Sequence, residues 1–90
     1  MLPLGIINDR MQGLNNWALE DNFIVKDFSF GNFKEALEFV NKVGEVAERE
    51  GHHPDMMISF NKVRLRLTTH EEHGLTSKDF DVAEEIDKLG

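Results

Sequence analysis

Between Asn32 and Gly51 the apolar residues Phe33, Ala36, Leu37, Val40, Val43 and Ala47 recur at helical spacing, and no other feature limits the fold so tightly. Asn32 with Glu35 three residues on is the pattern that satisfies the free N–H groups of a first turn, and Gly51 supplies the stop. Lys34, Glu38 and Lys42 follow at four-residue steps, as do Glu45 and Arg49, which marks the solvated face. Phe39 and Val46 widen the apolar sector to roughly 180°, beyond the ~100° stripe that one core contact needs. The excess is expected to pack against a second subunit. A long helix in the middle of a 90-residue chain leaves two short arms, and each contains a hairpin pattern.

Ahead of the helix, Trp17 and Leu19, then Ile24, Phe28 and Phe30, form two short runs separated by Glu20-Asp21-Asn22. Trp17, the single tryptophan, reads as a core anchor, because an indole buries a large area. Behind the helix, Met56, Ile58 and Phe60 alternate with Met57 and Ser59. After Asn61-Lys62 the alternation resumes as Val63, Leu65 and Leu67 against Arg64, Arg66 and Thr68. A two-residue turn there would set Phe60 opposite Val63 and bring both apolar sets to one face. The spacing also predicts a weaker helix over Leu4–Gln12 ended by Gly13. A last helix is opened by Thr76 with Asp79, its apolar side being Phe80, Ala83, Ile86 and Leu89. The order is αββαββα. Strands joined by short hairpins run antiparallel and amphipathic helices cover one face, so the expectation is an α+β fold: a four-stranded antiparallel sheet in a single domain over residues 1–90.

A net charge of −7 argues against direct nucleic-acid binding, which rests on Lys and Arg. Cysteine is absent, so disulfides and thiolate metal sites are excluded and a reducing cytoplasm fits. The apolar start Met1–Ile7 is too short for a signal segment, and no run approaches the ~18 apolar residues of a membrane span. A cytoplasmic protein without membrane contact is expected.

Three of the four histidines lie between Glu48 and His70. His52 and His53 are adjacent, and imidazole titrates near neutral pH, so the pair can offer an acid and a base together. Glu48, four residues before His52, could accept from its ring if the helix reaches that far. Pro54 keeps His53 extended, so the two rings diverge and leave a gap. Equally, a His pair after a helix can simply cap the last carbonyls. His70-Glu71-Glu72-His73 is one residue short of the zinc-protease pattern and lies in a loop, and without thiolates no metal site is expected. His73 reads as a solvated loop residue. Asp79 is either part of the Thr76 cap or a partner for His70.

Together, Glu48-x-x-x-His52-His53-Pro54-Asp55, Phe60-Asn61-Lys62-Val63, Leu67-Thr68-Thr69-His70, Gly74-Leu75-Thr76 and Asp79 resemble the signature of the pterin-4a-carbinolamine dehydratases. The resemblance runs from Trp17 to the last helix. The family usually carries a Trp two residues after the proline, where this chain has Met56. The resemblance implies removal of water from a 4a-hydroxytetrahydropterin with no metal or organic cofactor, catalysed by His52, His53 and His70. Glu48, Pro54, Met56 and Asp79 would line or tune the substrate pocket. It also implies a homodimer or homotetramer, with a pterin-dependent hydroxylase or another protein as partner. The alternative is a non-catalytic binding or assembly module acting through the Phe39 and Val46 side of the central helix, a role known for members and relatives of this family.

Overall fold

In the computed structural model, which describes residues 1–89, each predicted element forms. The order is α1 (Leu4–Gln12), β1 (Ala18–Glu20), β2 (Phe23–Ser29), α2 (Phe33–Glu50), β3 (Asp55–Ser59), β4 (Lys62–Leu67), a 3-10 turn (His70–Glu72) and α3 (Ser77–Asp87). Asn32 caps α2 by accepting from the Glu35 N–H at 2.8 Å. The two hairpins lie side by side and join through β2 and β4, so the sheet order is β1-β2-β4-β3 with every pair antiparallel. Ile24, Val63, Leu65 and Leu67 point to the helical side and are fully buried among Ala36, Val43, Val46, Phe80, Ala83 and Ile86. Burying this layer stabilises the fold by about 25 cal/mol per Å² of apolar surface removed from water. On the open side, Arg64 makes two hydrogen bonds to Asp27 across the β2–β4 ladder, at 2.8 and 3.1 Å.

Two expectations need correcting. Ile58, not Phe60, faces Val63, and the turn consists of Phe60 and Asn61. Asn61 is held back by Phe30, donating Nδ2–H to its carbonyl and accepting its N–H, both at 2.8 Å. Phe60 is thereby left at the tip with φ 52 and 68% exposed. Alternation survives because the slip is by two residues, which preserves the face.

The wide sector of α2 is also filled from within the chain. Val46 is buried in the core, and the Phe39 ring packs against Phe28 and Phe30 at 4.6 and 5.0 Å. The apolar residues of α2 left exposed are Phe33 and Leu37, on a different side of the helix.

Candidate active site

Gly51 ends α2 in the left-handed region (φ 66), and the His52 N–H turns back to the Ala47 carbonyl at 3.2 Å. That reversal breaks the helical progression. The expected Glu48–His52 contact is therefore replaced: Glu48 Oε2 lies 2.5 Å from Nε2 of His53, on the surface. His52 swings instead toward the first turn of α3, where its Nε2 lies 2.5 Å from Oδ1 of Asp79. Neither ring caps the end of α2.

Asp79 is completely buried. Its Oδ2 accepts from Thr69 Oγ1 and from the Thr76 N–H, both at 2.9 Å, and Thr69 Oγ1 is also 2.8 Å from Thr76 Oγ1. Asp79 thus serves the helix start and His52 at once, and His70 is not its partner. An ionised carboxylate is acceptor-only, so this donor set assigns the His52 ring proton to Nε2. Among the described residues no buried side-chain nitrogen or oxygen lacks a partner, which puts the unpaired Nδ1 of His52 on the accessible side.

His70 opens the 3-10 turn beyond β4. It shares a hollow of about 240 Å³ with Gly51, His52, His53, Thr68 and Glu71. The structure therefore brings the three histidines to one concavity. On the other side of His70 lies a smaller hollow of about 180 Å³, edged by Asn22, Phe23 and His73. Beside His52 a third, of about 470 Å³, runs toward Thr76 and Ser77 at the start of α3.

Pro54 is buried behind the His pair, and Asp55 begins β3. Met56 does not line the histidine hollow. It lies on the helical side of the edge strand, opposite Leu65 and about a third exposed. His73 is exposed, as expected. Among the described residues no group of three His, Asp or Glu side chains is arranged to hold a metal ion. A further hollow of about 370 Å³, on the open side of the sheet between Asp27, Met57 and Arg64, contains no histidine.

Sequence reasoning missed Thr69 and Phe23. Thr68-Thr69 at the end of an alternating strand, just before His70, was the available signal for the first. Phe23 carried none, being one of two phenylalanines in its strand.

The chain matches the family model described as pterin 4 alpha carbinolamine dehydratase over residues 5–89. It is 49% identical to a provisionally named pterin-4-alpha-carbinolamine dehydratase of Picosynechococcus sp. over 83 residues, 92% of this chain and 90% of that one. A likewise provisionally named protein of Sulfolobus acidocaldarius is 42% identical over 92% and 91% of the two chains. Among solved structures, a transcriptional coactivator/pterin dehydratase from Brucella melitensis superposes with a TM-score of 0.92 at 29% identity, covering 98% and 96% of the two chains. A pterin dehydratase-like RuBisCO assembly factor of the alpha-carboxysome shares the fold, with a TM-score of 0.66 at 19% identity over 81% and 84%.

Proposed function

This chain belongs to the pterin-4a-carbinolamine dehydratase family, and on that premise we propose that it removes water from a 4a-hydroxytetrahydropterin through His52, His53 and His70. The activity makes it a hydro-lyase. The C4a–O bond breaks as the oxygen takes a proton and leaves as water. The adjacent ring nitrogen gives up its proton, and the C=N bond of the quinonoid dihydropterin forms. Hydroxide leaves poorly, so an acid and a base must act in one pocket, each worth about 10² to 10⁴-fold.

With Nε2 of His52 held by Asp79 and Nε2 of His53 held by Glu48, Nδ1 is the nitrogen each ring has left for the substrate. A neutral ring in that pose is a base at Nδ1, and a charged ring is an acid there. His52 and His53 divide the two roles, and His70 donates from the opposite wall to orient the departing hydroxyl. Pro54 fixes the spread of the pair, and Glu48 and Asp79 set the two rings.

The observation that carries this reading is the single concavity shared by the three imidazoles. The test is to add purified protein to a synthetic carbinolamine and follow dehydration by absorbance. Acceleration over the spontaneous rate is expected, with a loss of about 10²-fold on His53→Ala or His70→Ala. A rate equal to the spontaneous one would end the proposal.

A protein-binding role has one observation in its favour: Phe33, Leu37, Ile58 and Phe60 are apolar and exposed. These differ from the Phe39 and Val46 side that the sequence indicates. Assembly of the chain with itself through such a surface would give the homodimer or homotetramer, read as mass by light scattering. A partner hydroxylase would be retained by a His70→Ala variant and lost by Leu37→Ser.

A further inference from the structure

Two of the three histidines are oriented by carboxylates, His52 by Asp79 and His53 by Glu48. His70 has neither a salt bridge nor a side-chain hydrogen bond among the described residues, although it stands exposed at the start of a short turn. What does touch it is the Phe23 ring, 6.2 Å away between centroids and inclined by 73°. This edge contact is a favourable aromatic geometry. Phe23 itself is held on its face by Arg66, whose guanidinium carbon lies 3.9 Å from the ring centroid.

Arg66 sits in β4 opposite Val25 and Asp55, so Phe23 is its diagonal neighbour on the open side of the sheet. Its Nη1 is 3.9 Å from Oδ2 of Asp55, the residue after Pro54. Asp55, Arg66, Phe23 and His70 therefore form a row that crosses β3, β4 and β2. The row joins the His-His-Pro segment to the far wall of the hollow.

We infer that Phe23, clamped by Arg66, is a positioning residue that fixes the imidazole of His70 against the reacting hydroxyl. The inference rests on the dehydratase reading for its catalytic consequence, and on geometry alone for the orientation of the ring. An exposed histidine on a 3-10 turn samples several rotamers, and productive catalysis needs one of them. Small misplacements of such a group cost rate, up to about 10²-fold. Leucine at position 23 fills similar space without a ring edge. Methionine at position 66 keeps the apolar stem of the arginine without its cation.

The experiment prepares Phe23→Leu, Arg66→Met and His70→Ala and records kcat, KM, thermal midpoint and the imidazole proton resonances of His70. The Phe23→Leu variant is expected to move the His70 resonances, because the ring current is gone, and to lower kcat about tenfold with KM little changed. The Arg66→Met variant is expected to do the same to a lesser degree, and Phe23→Tyr restores both. Unmoved His70 resonances in Phe23→Leu overturn the inference, as does an unchanged kcat where His70→Ala abolishes the acceleration. Should His70→Ala leave turnover intact, the assignment of His70 to the chemistry fails, and the resonances still decide whether Phe23 orients the ring.

Discussion

Asp79 accepts three donors without any exposure to solvent, and the group it serves on one side is a helix start while on the other it is an imidazole. Replacing it by asparagine keeps the shape but turns one acceptor oxygen into a donor. Either Nε2–H of His52 or the Thr69–Thr76 pair must then give up its bond. The Asp79→Asn variant is expected to lose about ten- to hundredfold in kcat, with about 1 kcal/mol of stability from the weakened helix start. Steady-state dehydration rates and a urea titration check the two numbers separately. A variant that loses stability but keeps its rate would show that Asp79 is only a cap. Sequence alone allowed a cap or a His70 contact, because a residue in the first turn of α3 says nothing about which distant ring folds over it. The partner was decided by the left-handed Gly51, which redirects the next two residues.

The same glycine carries an argument at the level of the element. A Cβ at Gly51 would meet no atom within 4 Å, so steric crowding is not the obstacle. The cost of Gly51→Ala is the left-handed backbone itself, about 1 kcal/mol, and it should register in a denaturant titration. The β2–β4 ladder offers a second test. Arg64 beside Asp27 holds that carboxyl below its ordinary value of 3.8, chiefly by direct hydrogen bonding. A lowered folded-state value means the contribution is complete above the ordinary value and disappears as pH falls through the lowered one. Arg64→Met should therefore lower the thermal midpoint slightly at pH 7 and not at all in strong acid. The effect is small because the pair is solvated. All seven helices and strands were legible in the sequence, since period 3.6 and period 2 are written in the apolar positions. The hairpin register was not. The Phe60-Asn61 turn depends on Asn61 reaching Phe30 across the sheet, a long-range contact that no local pattern encodes. The wide sector of α2 misled for a similar reason: its excess is covered by Phe28 and Phe30, which lie outside the helix.

At the scale of the whole molecule α3 ties two regions together, one chemical and one structural. Its first turn holds Asp79 under His52, and its last residue, Asp87, gathers the opposite end of the fold. Asp87 Oδ1 accepts from Trp17 Nε1 at 2.9 Å and Lys26 Nζ at 3.0 Å, while Oδ2 accepts from the Asn15 N–H at 3.0 Å. Lys26 is a charged side chain on the helical side of the sheet, and among the described residues Asp87 is the one carboxylate paired with it. Its Nζ also lies over the Phe28 ring, 5.0 Å from the centroid. Asp87→Ala would leave a mostly buried ammonium and an indole N–H without their acceptor. A loss of about 2 to 4 kcal/mol is expected, well above that from Asp79→Asn. Because α3 spans about eight residues, or roughly 12 Å, between the two carboxylates, the losses should separate by kind. Asp87→Ala should lower the unfolding midpoint while kcat, measured well below that midpoint, stays near the parent value. Asp79→Asn should lower kcat strongly, with only the smaller loss of about 1 kcal/mol in stability. If Asp87→Ala also lowered kcat in fully folded protein, the two ends of α3 would have to be coupled, and His52 would owe its placement to the helix as a rigid body and not only to the local bond from Asp79.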